Sequence, residues 1–190
     1  EWCRQGANRF IFFLHYKSNI IENFLLEFFA RKLFNQCSYQ IIFEESLMGT
    51  GGAVGAGIKQ LGFSGNFFLV NADTWLPGNL LLLKDVTPPA IALVNVQDRS
   101  RFGSAVIENG ALSSFSEKAV KGPGLINAGT YRFHHSHFSN YSGSYSLEDK
   151  VLPKLLEKGM FTPAISNSTF VDIGIPDDYI KFSKIIKHQK

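Results

Sequence analysis

Apolar runs and segments of helical periodicity alternate along the first half of the chain. The apolar runs, which are typical of buried strands, lie at 9–16, 39–45, 66–73 and 89–98. The segments that favour helices lie at 18–34, 49–62 and 79–85. Ser18 or Asn19 can cap the first of these helices. This order predicts an α/β fold in which helices cover both faces of a mostly parallel sheet.

The second half of the chain has a different pattern. Asn109 and Gly110 separate two apolar runs within 103–117, which is the strongest short signal for a tight β-hairpin. Further strands are predicted at 124–133 and 169–174, and helices at 146–159 and 175–188. The sheet is therefore expected to be mixed, with mainly parallel strands.

Composition narrows the class of protein. The chain has 190 residues, of which 45% are apolar and 18% are charged, so it can build a large core as one domain over 1–190. The net charge is only +3, and the one mild basic cluster, within 181–190, is more typical of a solvated helix face than of a nucleic-acid site. The run at 9–16 is too short to span a bilayer.

The two cysteines bear on the compartment. Cys3 and Cys37 lack the spacing of a metal site, and nothing in the sequence supports a disulfide, so we expect reduced thiols. We therefore expect a cytoplasmic protein with no nucleic-acid partner and no membrane partner. The sequence leaves open whether the chain forms a homo-oligomer.

Two aspartates follow apolar strands. In open α/β sheets, ligands bind beyond the carboxyl ends of the strands, and Asp73 and Asp172 both lie at such ends. Mg²⁺ takes one or two protein carboxylates and completes its coordination with phosphate oxygens and water. Either aspartate alone is also typical of a helix N-cap or a turn. Together they favour a shared Mg²⁺ site.

Glycines are concentrated in 48–57, before the second predicted helix. They would let backbone N–H groups approach a phosphate or a base closely. No Gly-Lys-Ser/Thr sequence follows, which excludes a Walker A loop, and the context does not fit a dinucleotide-binding fingerprint. A turn with close packing explains the same glycines.

Three further residues could line a site. Asn127 lies in an otherwise apolar strand and needs hydrogen-bond partners if it is buried, while its small neighbours leave room for a ligand. Glu117 and Lys118 follow the predicted hairpin, where they also fit an ordinary surface pair.

The histidines of 134–137 lie in a polar turn without a matching carboxylate, which does not favour a metal site.

These motifs, in this order, resemble the sugar-1-phosphate nucleotidyltransferases. The resemblance is greatest to D-glycero-D-manno-heptose 1-phosphate guanylyltransferases and mannose-1-phosphate guanylyltransferase-like proteins. The matching stretches are 49–54, 67–75, 98–133, 146–159 and 170–182, so the resemblance covers nearly the whole chain. It implies the fold of the nucleotide-diphospho-sugar transferases, a Rossmann-like three-layer sandwich with a mainly parallel mixed sheet.

The resemblance also implies a role for each matching residue. Asp73 and Asp172 match the Mg²⁺ ligands, and with Lys118 they would be the catalytic residues. The implied substrate-binding residues are Thr50, Gly51 and Gly52 for the nucleotide base, Glu117 (with Lys118) for the sugar and its phosphate, and Asn127 and Gly129 for the sugar pocket.

The chain departs from the family pattern at a few positions. Ala72 replaces the usual Gly before the metal aspartate, Ile175 replaces a Thr, and Ala119 replaces a Pro. None of these changes removes a ligand. The family opens with a strand and a GGxGTRL loop that would precede residue 1. The resemblance therefore implies a single domain over 1–190 that lacks its N-terminal strand and phosphate-binding loop.

The implied reaction is nucleotidyl transfer from a nucleoside triphosphate to a sugar 1-phosphate, with release of pyrophosphate. GTP is the expected substrate, ahead of dTTP, CTP and UTP. One alternative is an inactive nucleotide-sugar-binding or regulatory module of the same fold, which the missing loop favours and the two aspartates oppose. An NAD-type Rossmann enzyme is disfavoured, because 9–20 contains no glycine.

Overall fold

The computed structural model describes residues 1–31, 36–116 and 120–187. The chain separates into two compact units, one formed by 1–65 with 135–154 and the other by 66–134 with 155–190. Within the described ranges, no helix has both the length and the apolar character needed to cross a membrane. The expectation of a single domain over 1–190 stays a prediction.

The order of elements agrees closely with the pattern of the sequence. The helices are α1 (Ser18–Phe29), α2 (Gly49–Gln60), α3 (Asn79–Leu83), α4 (Leu152–Glu157) and α5 (Pro176–Lys187), with 3₁₀ helices at Trp2–Gln5 and His135–Phe138 and a π-helical turn at Leu147–Val151. The strands are β1 (Arg9–Leu14), β2 (Ser38–Phe43), β3 (Asn66–Val70), β4 (Thr74–Trp75), β5 (Ala90–Val96), β6 (Ser104–Glu108), β7 (Ala111–Ser116), β8 (Gly124–His134), β9 (Thr162–Ser166) and β10 (Val171–Asp172).

Aromatic side chains pack α1 against β1 and β2 in the first unit. The two strands are parallel. The ring of Phe29, at the end of α1, is stacked on Tyr39 of β2 with centroids 4.4 Å apart, and it meets Phe12 of β1 edge-on at 6.3 Å. Aromatic pairs of this kind add about 0.5–1.5 kcal/mol each beyond the area they bury. The predicted strand–helix–strand start of the chain is confirmed.

The start of α1 differs from the prediction. Lys17 is the N-cap residue, with φ of 52°, and no side chain caps the helix. The first helical residue is Ser18, so neither Ser18 nor Asn19 acts as the predicted cap. The end of the predicted helix, 32–34, lies outside the described residues.

The glycine-rich segment is helical rather than a turn before a helix. α2 begins at Gly49, so Gly51 and Gly52 lie in its first turn. The predicted end is confirmed, since Leu61 is the C-cap residue and Gly62 has φ of +56°. Glycine is a poor helix former, so packing from outside the helix is needed to explain why these residues are helical.

β8 is the central strand of the six-stranded sheet in the second unit. β5 pairs along one edge of β8, while β3 and β6 pair with the other edge. These ladders are antiparallel, whereas β5 and β9 are parallel. The sheet is mixed, as predicted. Antiparallel ladders are more frequent than the alternating pattern suggested, because β8 runs against each of its neighbours.

The predicted hairpin is confirmed. β6 and β7 are antiparallel and are joined by Asn109 and Gly110, with φ of 51° and 79°. Both values are positive, as the two central residues of a type I′ turn require.

The sequence pattern does not predict β9. Pro163 lies within this strand, opposite Ile91 of β5, and β9 is at the edge of the sheet. Proline has no N–H to donate to a neighbouring strand, so its presence in a sequence argues against a strand. It is tolerated here because β9 is an edge strand.

The core of the second unit lies between the sheet and α3. Its buried apolar cluster consists of Leu76, Leu83, Ala90, Ala92, Val94, Ile126 and Ala128. A buried polar pair connects α3 to β8, because Asn79 Nδ2 donates to Thr130 Oγ1 at 3.0 Å. The same asparagine accepts from the Leu80 N–H through Oδ1 at 3.0 Å.

Thr130→Val should lower the free energy of unfolding by about 1–3 kcal/mol, because it removes a buried acceptor from Asn79 while keeping the side-chain shape. Chemical denaturation would measure the change. Thr162→Val, at an exposed edge position, is the matched control and should stay within about 0.5 kcal/mol of the parent protein. Equal losses in both variants would contradict the importance of this hydrogen bond.

Candidate functional site

The structure brings Asp73 and Asp172 to neighbouring positions. β4 and β10 are antiparallel, with Thr74 opposite Asp172 and Trp75 opposite Val171. Beyond this ladder, the Ile173 N–H donates to the Asp73 carbonyl oxygen at 2.8 Å. The backbones of two aspartates that are far apart in the sequence are therefore neighbours, at the start of β4 and the end of β10. The predicted strand at 169–174 is present only as Val171–Asp172.

Asp172 is held by its own turn. Its Oδ1 accepts from the Gly174 N–H at 2.8 Å, two residues before α5 begins at Pro176. One oxygen of Asp172 therefore makes the hydrogen bond that is typical of an aspartate in a turn, which was the alternative interpretation of this residue. Its Oδ2 lies 3.8 Å from Arg101 Nη2. A carboxylate held in this way has a restricted orientation, whereas Asp73 is exposed.

Arg101 belongs to the same charged cluster and was not predicted from the sequence. Its guanidinium forms an ion pair with Asp178 of α5, and Lys181 also pairs with Asp178, at 3.0 Å. The hydrogen bond from Arg101, followed by that from Lys181, lowers the pKa of Asp178 below its ordinary value. Arg101 lies within the stretch 98–133 that carried the resemblance, but no local spacing links it to Asp172 or Asp178.

The Asn127–Gly129 stretch forms an irregularity in β8. The register with β5 shifts there, since Ile91 lies opposite Tyr131 but Leu93 lies opposite Asn127. Bulges are frequent next to active sites, where they redirect side chains. Gly129 has φ of +66°, and its carbonyl accepts from the Asn71 N–H at 2.8 Å.

Asn127 has partners within the protein. Its Oδ1 accepts from the Gly129 N–H at 2.9 Å, and its Nδ2 donates to the Tyr131 hydroxyl at 2.6 Å. A Cβ on Gly129 would lie 2.8 Å from Asn71 Nδ2, so the glycine also admits this neighbouring amide. Asn71, two residues before Asp73, was not among the predicted site residues, although its place at the end of β3 was a usable signal. The structure therefore places Gly129, to which Asn127 is hydrogen-bonded, against the segment that carries Asp73.

The first turn of α2 is in the first unit and holds the residues predicted to bind the base. Thr50 is exposed, whereas Gly51 and Gly52 are buried. The Gly52 N–H donates to the Tyr145 carbonyl oxygen at 3.1 Å. A Cβ on Gly52 would lie 2.7 Å from the Gly143 carbonyl oxygen. Gly51 and Gly52 are therefore closely packed, as the alternative interpretation of these glycines expects. Of the three residues predicted to bind the base, Thr50 is the exposed one.

Glu117 and Lys118 lie outside the described residues. β7 ends at Ser116, directly before them. Their predicted contact with the sugar and its phosphate stays a prediction.

The residue type at positions 73 and 172 suits a divalent cation, because carboxylate oxygens are ligands that Mg²⁺ prefers. Across 1–31, 36–116 and 120–187, no group of three or more His, Cys, Asp or Glu residues is placed to hold a metal. If a cation binds at the β4–β10 ladder, Asp73 and Asp172 are the carboxylates that would hold it, and Mg²⁺ typically accepts one or two when phosphate supplies further ligands.

Two relatives of this chain share one named activity. No protein-family model matches the chain. It is 32% identical over 184 residues to a D-glycero-alpha-D-manno-heptose 1-phosphate guanylyltransferase of Campylobacter jejuni, covering 94% of this chain and 79% of the relative. The corresponding guanylyltransferase of Aneurinibacillus thermoaerophilus is 28% identical over 195 residues, covering 97% and 81%.

A solved structure supports the same relationship. The crystal structure of HddC from Yersinia pseudotuberculosis superposes with a TM-score of 0.80 at 29% identity, covering 97% of this chain and 81% of that one. A complex of the same protein with GMP-PN gives a TM-score of 0.79. The predicted fold of the nucleotide-diphospho-sugar transferase type is confirmed.

Gly52→Ala should lower the free energy of unfolding by about 1–3 kcal/mol, because the new methyl group meets the Gly143 backbone, which cannot move aside easily. Thermal or chemical denaturation would measure the loss. Gly103→Ala is the control, since no atom lies within 4 Å of a Cβ there, and it should stay within about 0.5 kcal/mol. A stable Gly52→Ala variant would show that the turn is loosely packed.

Proposed function

We propose a mechanism from the premise that this chain belongs to the family of D-glycero-alpha-D-manno-heptose 1-phosphate guanylyltransferases. It is a sugar-1-phosphate nucleotidyltransferase that forms GDP-heptose and pyrophosphate from GTP and heptose 1-phosphate. The observation that supports this function best is the meeting of Asp73 and Asp172 at the β4–β10 ladder.

Asp73 and Asp172 would hold Mg²⁺, a hard cation that prefers oxygen ligands. When bound, Mg²⁺ supplies positive charge that offsets the repulsion between two anionic substrates and aligns their phosphates. The chain contributes the geometry. The backbone bond between Ile173 and Asp73 fixes the spacing of the two residues, and the Gly174 N–H orients one carboxylate before substrate arrives.

The reaction needs no general base. A phosphate oxygen of the sugar 1-phosphate forms a bond to the α-phosphorus of GTP, while the bond from that phosphorus to the bridging oxygen of pyrophosphate breaks. The attacking oxygen is already ionised at neutral pH, so no side chain has to remove a proton. The predicted site accordingly contains no histidine or cysteine.

The guanine nucleotide would bind at the first turn of α2. Thr50 is exposed there, and the helix N-terminus carries partial positive charge that suits an anionic ligand. The guanine preference draws support from the guanylyltransferase relatives and from the GMP-PN complex of the Yersinia protein.

The sugar 1-phosphate would bind near the β8 bulge. Gly129 contacts Asn71 in the segment that leads to Asp73, and Asn127 is hydrogen-bonded to Gly129. Glu117 would contact the sugar, and Lys118 would place a point charge on its phosphate.

Asp73→Asn and Asp172→Asn should each lower kcat/KM by about 100-fold or more, as expected when one preorganised electrostatic group is removed. Pyrophosphate release with GTP and heptose 1-phosphate would measure the rate. Both variants should also bind Mn²⁺, an analogue of Mg²⁺ visible by electron paramagnetic resonance, about tenfold or more weakly.

Asp85→Asn removes an exposed carboxylate from the same unit and is the matched control, with unchanged rate and unchanged Mn²⁺ affinity. Full activity in either site variant would refute the metal role. Absence of pyrophosphate release from the unsubstituted protein with any sugar 1-phosphate would favour the alternative of an inactive binding module.

Lys118→Ala should raise the KM for the sugar 1-phosphate by about 10–100-fold, because a charged hydrogen bond contributes about 1.5–3 kcal/mol. The KM for GTP and the melting temperature should be unchanged. Lys121→Ala, three residues further along the chain, is the control. An unchanged KM for the sugar phosphate in the Lys118 variant would exclude this contact.

A further inference from the structure

We propose that the ring of Tyr145 positions the first turn of α2 for binding the guanine nucleotide. This role rests on the function proposed above for that turn. Tyr145 is a positioning residue in this scheme, because it acts on the backbone of α2 and not on the substrate.

The backbone around Tyr145 holds both ends of the first turn. The Tyr145 N–H donates to the Met48 carbonyl oxygen at 2.8 Å, and the Tyr145 carbonyl accepts from the Gly52 N–H at 3.1 Å. Ser144 adds a third bond, from Oγ to the Leu47 carbonyl oxygen at 3.2 Å. These bonds enclose residues 49–51, which include the exposed Thr50.

The Tyr145 ring covers the glycine face of α2. A Cβ on Gly51 would lie 2.5 Å from ring atoms Cδ2 and Cε2, and a Cβ on Gly55 would lie 2.5 Å from the hydroxyl oxygen. The ring therefore lies along one full turn of the helix, at a distance that only glycine allows. The Tyr141 ring lies beside it, with centroids 5.3 Å apart.

A turn with this composition needs such support. Gly49, Gly51 and Gly52 lack side chains that could restrict the backbone, and glycine loses more conformational freedom on folding than any other residue. Ligand recognition through backbone groups requires those groups to be held in place before binding. The ring and the backbone bonds of Tyr145 provide that restraint.

The aromatic ring of Tyr145, and not its hydroxyl group, positions the first turn of α2. Its oxygen is buried and has no hydrogen-bond partner in the part of the chain that the structure describes. Burial, and then the neighbouring Tyr141, raise the pKa of Tyr145, so the hydroxyl stays protonated at neutral pH. Removing this oxygen alone should therefore leave nucleotide binding intact.

A double-mutant cycle between Gly55 and Tyr145 tests the inference. Gly55→Ala pushes its methyl group against the hydroxyl and shifts the ring, so the KM and the calorimetric Kd for GTP should rise by about tenfold, the order expected for a misplaced binding group. Tyr145→Phe alone should stay within about twofold of the parent protein. The combined variant should regain the parent values, because the nearest ring carbon is 3.6 Å from that methyl position, an ordinary contact.

The KM for the sugar 1-phosphate should stay within about twofold in all three variants, because the changes lie at the proposed nucleotide site. A general loss of folded protein would instead lower the apparent kcat and leave both KM values unchanged. Tyr16→Ala, an exposed tyrosine of the same unit, is the control for loss of an aromatic ring and should behave as the parent. Melting temperatures verify that each variant is folded.

Three outcomes would overturn the inference. GTP affinity that is unaffected by Gly55→Ala would show that the ring does not act on the nucleotide site. A combined variant as weak as Gly55→Ala would show that the effect does not pass through the ring. A parent protein that neither binds nor turns over GTP would overturn the proposed function, and this inference with it.

Discussion

The antiparallel pairing of β4 with β10 is the contact on which the candidate site depends. It is short, two residues on each strand, yet it places Asp172 opposite the residue that follows Asp73. The backbone bond from Ile173 and the packing of Trp75 on Phe182 hold the two segments together. Because a ligand that binds only the folded state stabilises it, a cation held by both aspartates would link the stability of this pairing to the proposed function.

The glycines of α2 show that packing and ligand binding are not exclusive interpretations. A side chain larger than that of glycine does not fit at positions 51, 52 and 55, because Gly143 and Tyr145 lie directly against them. The same close packing leaves Thr50 exposed at the start of the helix and restricts the backbone around it. A segment chosen for tight packing can therefore also present a rigid surface to a nucleotide.

Where the sequence pattern succeeded, the signal was local. Asn109 and Gly110 favour positive φ, and they form the predicted turn. The helical segment predicted at 146–159 also begins at a local signal, since Ser146 is its N-cap residue and accepts from the Asp149 N–H at 3.1 Å. Where the pattern failed, a distant partner decided the outcome: β9 is a strand because β5 pairs with it despite Pro163, and Arg101 joins the site because α5 presents Asp178 to it.

The amino-acid sequence by itself determined most of the strands and helices, and it identified Asp73 and Asp172 as acidic residues at strand ends. Hydrophobic periodicity and turn chemistry are local properties, so they can be read without coordinates. Only the tertiary structure decided that these two aspartates meet, that the glycine-rich segment is helical, and that Asn71 lies against Gly129. Each of these depends on contacts between residues far apart in the chain, and no local pattern encodes such pairings.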